Sequence, residues 1–318
     1  MQQNRRAIGA LIALAAAALA GCAGGSGSQS SPASPAALPA LSAARYGWLS
    51  PATLTQKLVY VSDNTANAIE IYPAGKNNPS PIGQITDGIS APLGNFVDEK
   101  GTLYVANHGN STVTEYPAGS TTPSVTLSTN INGPISVAAD SAGDVAVGEF
   151  AQQEILEFPA GSSSPSVTIT LLTYPEGLAF DKLRHLYAAW NENSPFVGHV
   201  SKCARMRAVC VDQGIAEGQS AGLTIDLAGD LVLGDQTNHV INVYPPHATK
   251  PSRTISVPGG DPVKFALDKR EKKLYVADYL NDQVEIYDYA TGTQFGTISS
   301  GLQSAWGVSL SPAAKYGP

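Results

Sequence analysis

Charge is in short supply in this sequence. Asp, Glu, Lys and Arg together make up 14% of 318 residues, and the basic ones number 19 against 26 acidic. An acidic chain without a basic stripe argues against nucleic acid as a partner and against electrostatic docking onto anionic lipid. Cysteine occurs only three times, with no paired CxxC motif, and there is neither a nucleophile elbow nor a phosphate loop. What is abundant is Gly (31) and Pro (22), a turn-rich balance that suits many short strands better than helices.

Arg5 and Arg6 precede an apolar run from Ala7 to Ala20, too short to span a bilayer as a stable helix but the right length for a signal-peptide core. Leu19, Ala20, Gly21 and Cys22 resemble the lipobox of bacterial lipoproteins. That resemblance implies a leader of residues 1–21 cut before Cys22, acylation (palmitate) of Cys22, and a protein tied to the membrane of the cell envelope. Ala23 after the cysteine favours the outer membrane. Without Arg5 and Arg6 the chain keeps 17 basic residues against 26 acidic, a net charge of −9, so its membrane attachment has to be covalent. Ala23 to about Ala44 is Gly, Ser, Pro and Ala without charge, the composition of a flexible tether. Arg45 to Lys57, with Tyr46, Trp48 and Leu49, is less flexible in composition and is expected to pack on the outside of the domain. The division is 1–21 leader, 22–57 acylated cysteine and tether, and 58–318 folded domain.

From Leu58 onward one phrase recurs: a short alternating strand, a polar turn, a second strand ending near Tyr-Pro-Ala-Gly. Its central positions, Tyr60, Tyr104, Ala146, Tyr187, Val232 and Tyr275, lie 41 to 45 residues apart, a period that fits four short strands per unit. Asp98, Asp140, Asp181, Asp226 and Asp268 keep the same step, with Ser311 in the last unit. So do Pro92, Pro134, Pro175 and Pro262, with Ser220 and Ala305. Naming the strands A to D from the axis outward, A runs from Pro134 to Asp140, B is Leu103 to Ala106, C is Thr112 to Tyr116 and D is Ser124 to Leu127. Pro123, Pro165 and Pro251 open D strands, which places D on an edge, where a missing N–H costs nothing.

The repeats begin at a B strand, Leu58, and end on an A strand, Trp306 to Leu310. Each end alone is an incomplete sheet, and joined they make one whole sheet. The chain is therefore expected to be all-β: a six-bladed β-propeller of four-stranded antiparallel blades, closed by the C-terminal strand joining the N-terminal blade. The units resemble NHL-type six-bladed propellers, of the TolB-like and SMP-30-like architecture, through Leu274 to Asn281 followed by Val284, Glu285, Ile286 and Tyr287. The last unit also resembles YVTN or lactonase-like repeats. These resemblances cover about residues 58 to 311 and speak for architecture far more than for activity.

The loops entering A and leaving B share one face. That face is expected to collect Glu176 and Trp306 from the first set, and Asp63, Asn107, Glu149, Trp190, Asp235 and Asp278 from the second. Such an acidic mouth suits a cation, an amine or a sugar. Equally, Asp and Asn hold turns by accepting backbone N–H groups, and Asn67, Asn110, Asn238 and Asn281 recur in the same turns. Two residues after the proline landmark stand Gly94, Ser136, Gly177, Gly222, Lys264 and Gly307, small but for Lys264. This lysine either pairs with Glu176 or Asp261 or meets an anionic ligand in the channel. Gluconolactonase-like propellers hold a divalent ion near the axis with Glu, Asn and Asp, and here the A strands offer only Glu176 and Asn95. His108, His185, His199, His239 and His247 fall on B strands, loops or outer strands, so the axial histidines of NHL-type lyases have no counterpart.

Cys203 and Cys210 flank the fourth unit's outer hairpin and are candidates for a disulfide in an oxidising envelope. Lys202, Arg205 and Arg207 make a basic tip there, either a partner contact or a solvated loop. The leading expectation is a non-enzymatic, lipid-anchored scaffold that binds an envelope protein or glycan, without cofactor or nucleic acid. Its rival is a metal-dependent hydrolase or lactonase with a divalent cation at the acidic mouth, and a plain envelope spacer is the third reading.

Overall fold

The computed structural model describes residues 47–50, 53, 56–171, 173–192 and 196–311. The leader, Cys22 and the tether up to residue 46 lie outside the described residues. Six antiparallel sheets form the domain, each built outward from an A strand. The A strands are Pro92–Val97, Pro134–Ala139, Pro175–Phe180, Ser220–Ile225, Pro262–Leu267 and Ala305–Ser311. Neighbouring A strands pack side by side around the axis. Blade one is made from both ends of the domain, for Leu58–Asp63 pairs with Ala305–Ser311 from Leu58 opposite Ser311 to Asp63 opposite Ala305. The structure thus shows the six-bladed ring and its seam.

The B strands Leu103–Asn107, Val145–Glu149, Leu186–Asn191, Leu231–Asp235 and Lys273–Asp278 carry blades two to six outward. B strands such as Val59 to Val61 and Val145 to Val147 are buried on both faces, because each blade is sandwiched between two others. Apolar side chains gather in six clusters, one at each blade-to-blade contact. The ring has no single centre of hydrophobicity.

The recurring Asp after each A strand has a local cause. Asp98 Oδ1 accepts the N–H groups of Lys100 and Thr102 at 2.9 and 2.8 Å, and Asp140, Asp226 and Asp268 do the same in their own A–B turns. The Tyr before Pro on the C strand is buried and reaches out of the sheet: Tyr72 Oη donates to Ser300 O at 2.8 Å and Tyr116 Oη to Asp87 O at 2.6 Å.

Blade one has a fifth strand, Trp48–Leu49, on its outer edge, with Trp48 opposite Gln84. Two residues assigned to the tether therefore extend the sheet, consistent with the expectation that Arg45 to Lys57 packs outside. The two-residue pairing has no period to announce it. Among the described residues no helix is long and apolar enough to cross a membrane.

Candidate functional site

All six A–B pairs carry a register shift near the same end, at Pro92/Asn95, Gly148/Glu149, Pro175/Gly177, Ser220/Leu223, Pro262/Lys264 and Ser62/Asp63. Each shift is a β-bulge or similar irregularity, which locally disrupts the ladder and bends the strand. We call this end the mouth face; the A–B turns form the opposite face.

The bulge decides what the predicted acidic residues do. Asp63, Asn107, Glu149, Asp235 and Asp278 are at most 1% exposed. Asp63 Oδ2 accepts Gln303 N at 2.7 Å and its Oδ1 accepts Ala66 N at 3.0 Å. Asn107 Oδ1 accepts Ser90 N, Glu149 Oε1 accepts Asn132 N, Asp235 Oδ2 accepts Gly218 N and Asp278 Oδ1 accepts Asp261 N, all at 2.8 to 3.1 Å. These five side chains latch the loops that enter the A strands, and the turn-holding alternative describes them. Asn238 and Asn281 complete two of the latches by donating to Asp235 and Asp278 at 2.7 Å.

Trp190 stands in this series by register, opposite Pro175 as Asp278 is opposite Pro262, but its side chain has different partners. It is buried, stacked on His199 at 4.6 Å, and donates from Nε1 to Ser201 Oγ. The latch of blade four is Asn191, whose Oδ1 accepts Ser220 N at 2.7 Å from the next blade. Spacing does not separate the two, for Trp190 lies 41 residues after Glu149 and 45 before Asp235, and Asn191 42 and 44, all within the step of the repeat. Glu149, one methylene longer than its counterparts, keeps Oε2 buried with no hydrogen-bond partner among the described residues. Burial raises its carboxyl to about 7, with Glu154 adding to the rise and the Asn132 N–H opposing it.

What remains open on the mouth face is a charged centre flanked by aromatic rings. The A strands enclose a channel of about 120 Å³, lined by Asn95, Ser136, Leu178, Leu223, Lys264 and Phe265 among others. Glycine is required where neighbouring A strands nearly touch: a Cβ on Gly307 would lie 2.3 Å from Leu93 O, and one on Gly177 2.6 Å from Ala221 O. Asn95 lines the channel and donates to Ser62 Oγ at 2.8 Å.

Lys264 points from blade six to blade four, its Nζ 3.5 Å from Glu176 Oε2. Burial lowers its ammonium pKa, and Glu176 opposes that shift. Near the Glu176 carboxylate stands Tyr174, whose hydroxyl is held above its usual range by burial first and by that charge second. Tyr174 packs on Phe150 at 4.7 Å, and Phe150 meets His108 edge-on at 6.1 Å. On the other side Tyr279 lies 4.3 Å from Trp306. Phe150 and Leu280, both just beyond B strands, are 38% and 55% exposed.

Of the acids near this mouth, Asp63 and Asp278 accept loop N–H groups and Glu176 lies 3.5 Å from Lys264 Nζ. Among the described residues no three His, Cys, Asp or Glu side chains converge in a metal-binding arrangement. In blade four, Cys203 and Cys210 are opposite one another in the C–D ladder and joined by a disulfide. The basic tip is partly spent internally: Lys202 meets Asp181 at 3.4 Å and Arg205 meets Asp144 at 3.5 Å.

No protein-family model and no curated protein matches the chain. Among solved structures it is similar to a chain of the nidogen/laminin complex, at 16% identity and TM-score 0.66 over 80% of this chain and 98% of that one. It is also similar to a chain of the Kuenenia stuttgartiensis hydrazine synthase, at 13% identity and TM-score 0.55 over 76% and 83%. A third is a streptogramin B lyase, at 12% identity and TM-score 0.51 over 66% and 70%. A protein–protein complex and two enzymes thus share its backbone, and at such identities the likeness shows the propeller fold alone.

Proposed function

We propose that this protein is a binding propeller of the bacterial envelope, anchored through lipid on Cys22, that holds a protein or glycan partner on its mouth face. The observation that carries the reading is the pairing of aromatic rings, Phe150 exposed and Tyr174, Tyr279 and Trp306 half-buried, with a charged centre on that one face, while the recurrent acids beneath serve as loop latches. Aromatic rings beside polar groups are what protein and glycan surfaces are bound with. The lipobox resemblance of Leu19 to Cys22 supports the anchor. That one structural neighbour was solved within a nidogen/laminin complex is in keeping with a propeller used for binding.

Crosslinking in intact cells and retention on a glycan panel test the reading. Phe150→Asp is expected to abolish the crosslinked adduct or the retention. Leu183→Asp, in a still more exposed turn of the opposite face, is expected to leave it unchanged. Equal behaviour of the two variants would overturn the assignment of the face.

A further inference from the structure

A second cavity lies away from the mouth face, between blades one and two. It measures about 260 Å³ and is lined by Leu58, Ile71, Ile85, Leu103 and the rings of Tyr60 and Tyr116. Leu49, Thr53 and Gln56, which precede blade one's B strand, also border it, and Gly101 and Ser311 set it toward the A–B turns. No charged side chain is found among the described residues that line it. A charge moved there from water would have no counter-charge, so the cavity suits a neutral occupant.

One hydroxyl in this lining is unspent. Two other B-strand tyrosines of the same register reach a partner: Tyr104 Oη donates to Asp98 Oδ2 at 3.4 Å, and Tyr275 Oη accepts Gly75 N at 2.9 Å from the C–D turn of blade one. For Tyr60 neither partner is in place. Ser311 stands where the landmark Asp would be, and Gly119, the counterpart of Gly75, borders the cavity without bonding to Tyr60. Among the described residues no hydrogen bond engages the Tyr60 hydroxyl. Its oxygen is not sealed, although the residue is only 6% exposed, and since Tyr60 lines the cavity the oxygen opens onto that space. Burial raises the hydroxyl pKa to about 12, so it stays neutral, able to donate and to accept.

An apolar lining with one placed polar group is how small-molecule sites are built. An aliphatic cavity of about 150 Å³ admits benzene, so this one has room for about ten non-hydrogen atoms. That is far less than a peptide or glycan chain needs, and branched aliphatic and tyrosine side chains together pack well on flat rings. We propose that the cavity between blades one and two binds a neutral two-ring aromatic molecule bearing one hydroxyl or N–H group, with its rings among Ile71, Ile85, Leu103 and Tyr116 and its polar group on the Tyr60 hydroxyl. The site is separate from the mouth face and does not rest on the reading of that face.

The full chain is titrated with 2-naphthol, naphthalene and 2-naphthoate by calorimetry, and its thermal transition is followed in parallel. 2-Naphthol saturates a single site and raises the transition temperature. Naphthalene, which lacks the hydroxyl, binds about tenfold more weakly, and the charged naphthoate does not bind. Tyr60→Phe keeps the space and removes the hydroxyl, so it weakens 2-naphthol about tenfold and leaves naphthalene unchanged. Ala118→Phe, in an exposed turn at the rim of the cavity, takes up part of the space and weakens both. Where Tyr60→Phe fails to fold, the contrast between 2-naphthol and naphthalene on the unaltered chain, together with Ala118→Phe, carries the test. The inference is overturned if 2-naphthol shows no saturable single-site binding, if the naphthoate binds as tightly, or if Tyr60→Phe leaves the preference for 2-naphthol over naphthalene intact. It is overturned equally if Phe150→Asp, on the mouth face, abolishes 2-naphthol binding, for the ligand would then sit on that face.

Discussion

At the scale of single residues, the latches do the positional work. Asp278 holds both the Asp261 N–H and the Asn281 side chain from a fully buried position. Asp278→Ala leaves the Asp261 N–H without its partner and is expected to destabilise the domain by about 2–3 kcal/mol, read as a lower urea midpoint. Exposed Lys250→Ala, in an outer turn, should change stability by less than about 0.5 kcal/mol. Buried acids also set a pH dependence. Burial raises Glu149 and Glu157 to about 7 and Glu217 to about 8, so the folded state binds protons that the unfolded chain, at about 4.5, has released. Stability is therefore full below pH 4.5 and declines as pH rises through 7 to 8. Denaturation at pH 5 and pH 8.5 should differ by at least about 2 kcal/mol in favour of the acid side. Glu157→Gln should flatten that slope, since it removes one of the raised carboxyls.

Among the elements, blade four is held differently from the rest. Its D strand, Cys210–Asp212, has only three residues, all partly or fully exposed, and the disulfide to Cys203 ties it to the C strand. Cross-linking so short a loop contributes about 2 kcal/mol in the chain-entropy picture. The Cys203→Ala, Cys210→Ala double variant should lose about that much, and amide exchange should speed up at Cys210–Asp212 while the A strands keep their protection. Unchanged exchange there would show the hairpin to be held by its ladder alone. At this scale the sequence was readable wherever a pattern repeats: strand order, the Asp-capped A–B turns and, in blades two to six, the outermost place of the D strands all follow from side-chain alternation and turn chemistry. Trp48–Leu49 was not readable as a strand, because two residues cannot display a period and their pairing depends on an edge presented by Gly83 and Gln84.

For the whole molecule, closure is the decisive feature. The seam joins residues about 250 positions apart, and the core lies in six interfaces, each needing both neighbours. Removing Ala305–Ser311 exposes the B strand of blade one along its length and opens the cluster it shares with blade six. A chain ended after Gly301 should lose its single cooperative unfolding transition and associate through the open edge, measurable by calorimetry and light scattering. A retained sharp transition in a monomer would mean that the blades are stable without the ring.

The sequence by itself determined the period, the strand order and the seam, since these depend on local alternation, turn residues and the phase at which the repeats start and stop. Only the tertiary structure decided which polar side chains are spent and which are free. Asp63 accepts the N–H of Gln303, 240 residues later, and Lys264 crosses from one blade past another to Glu176. No local pattern encodes such pairings, because the bulge and the neighbouring blade that create them exist only once the ring has closed.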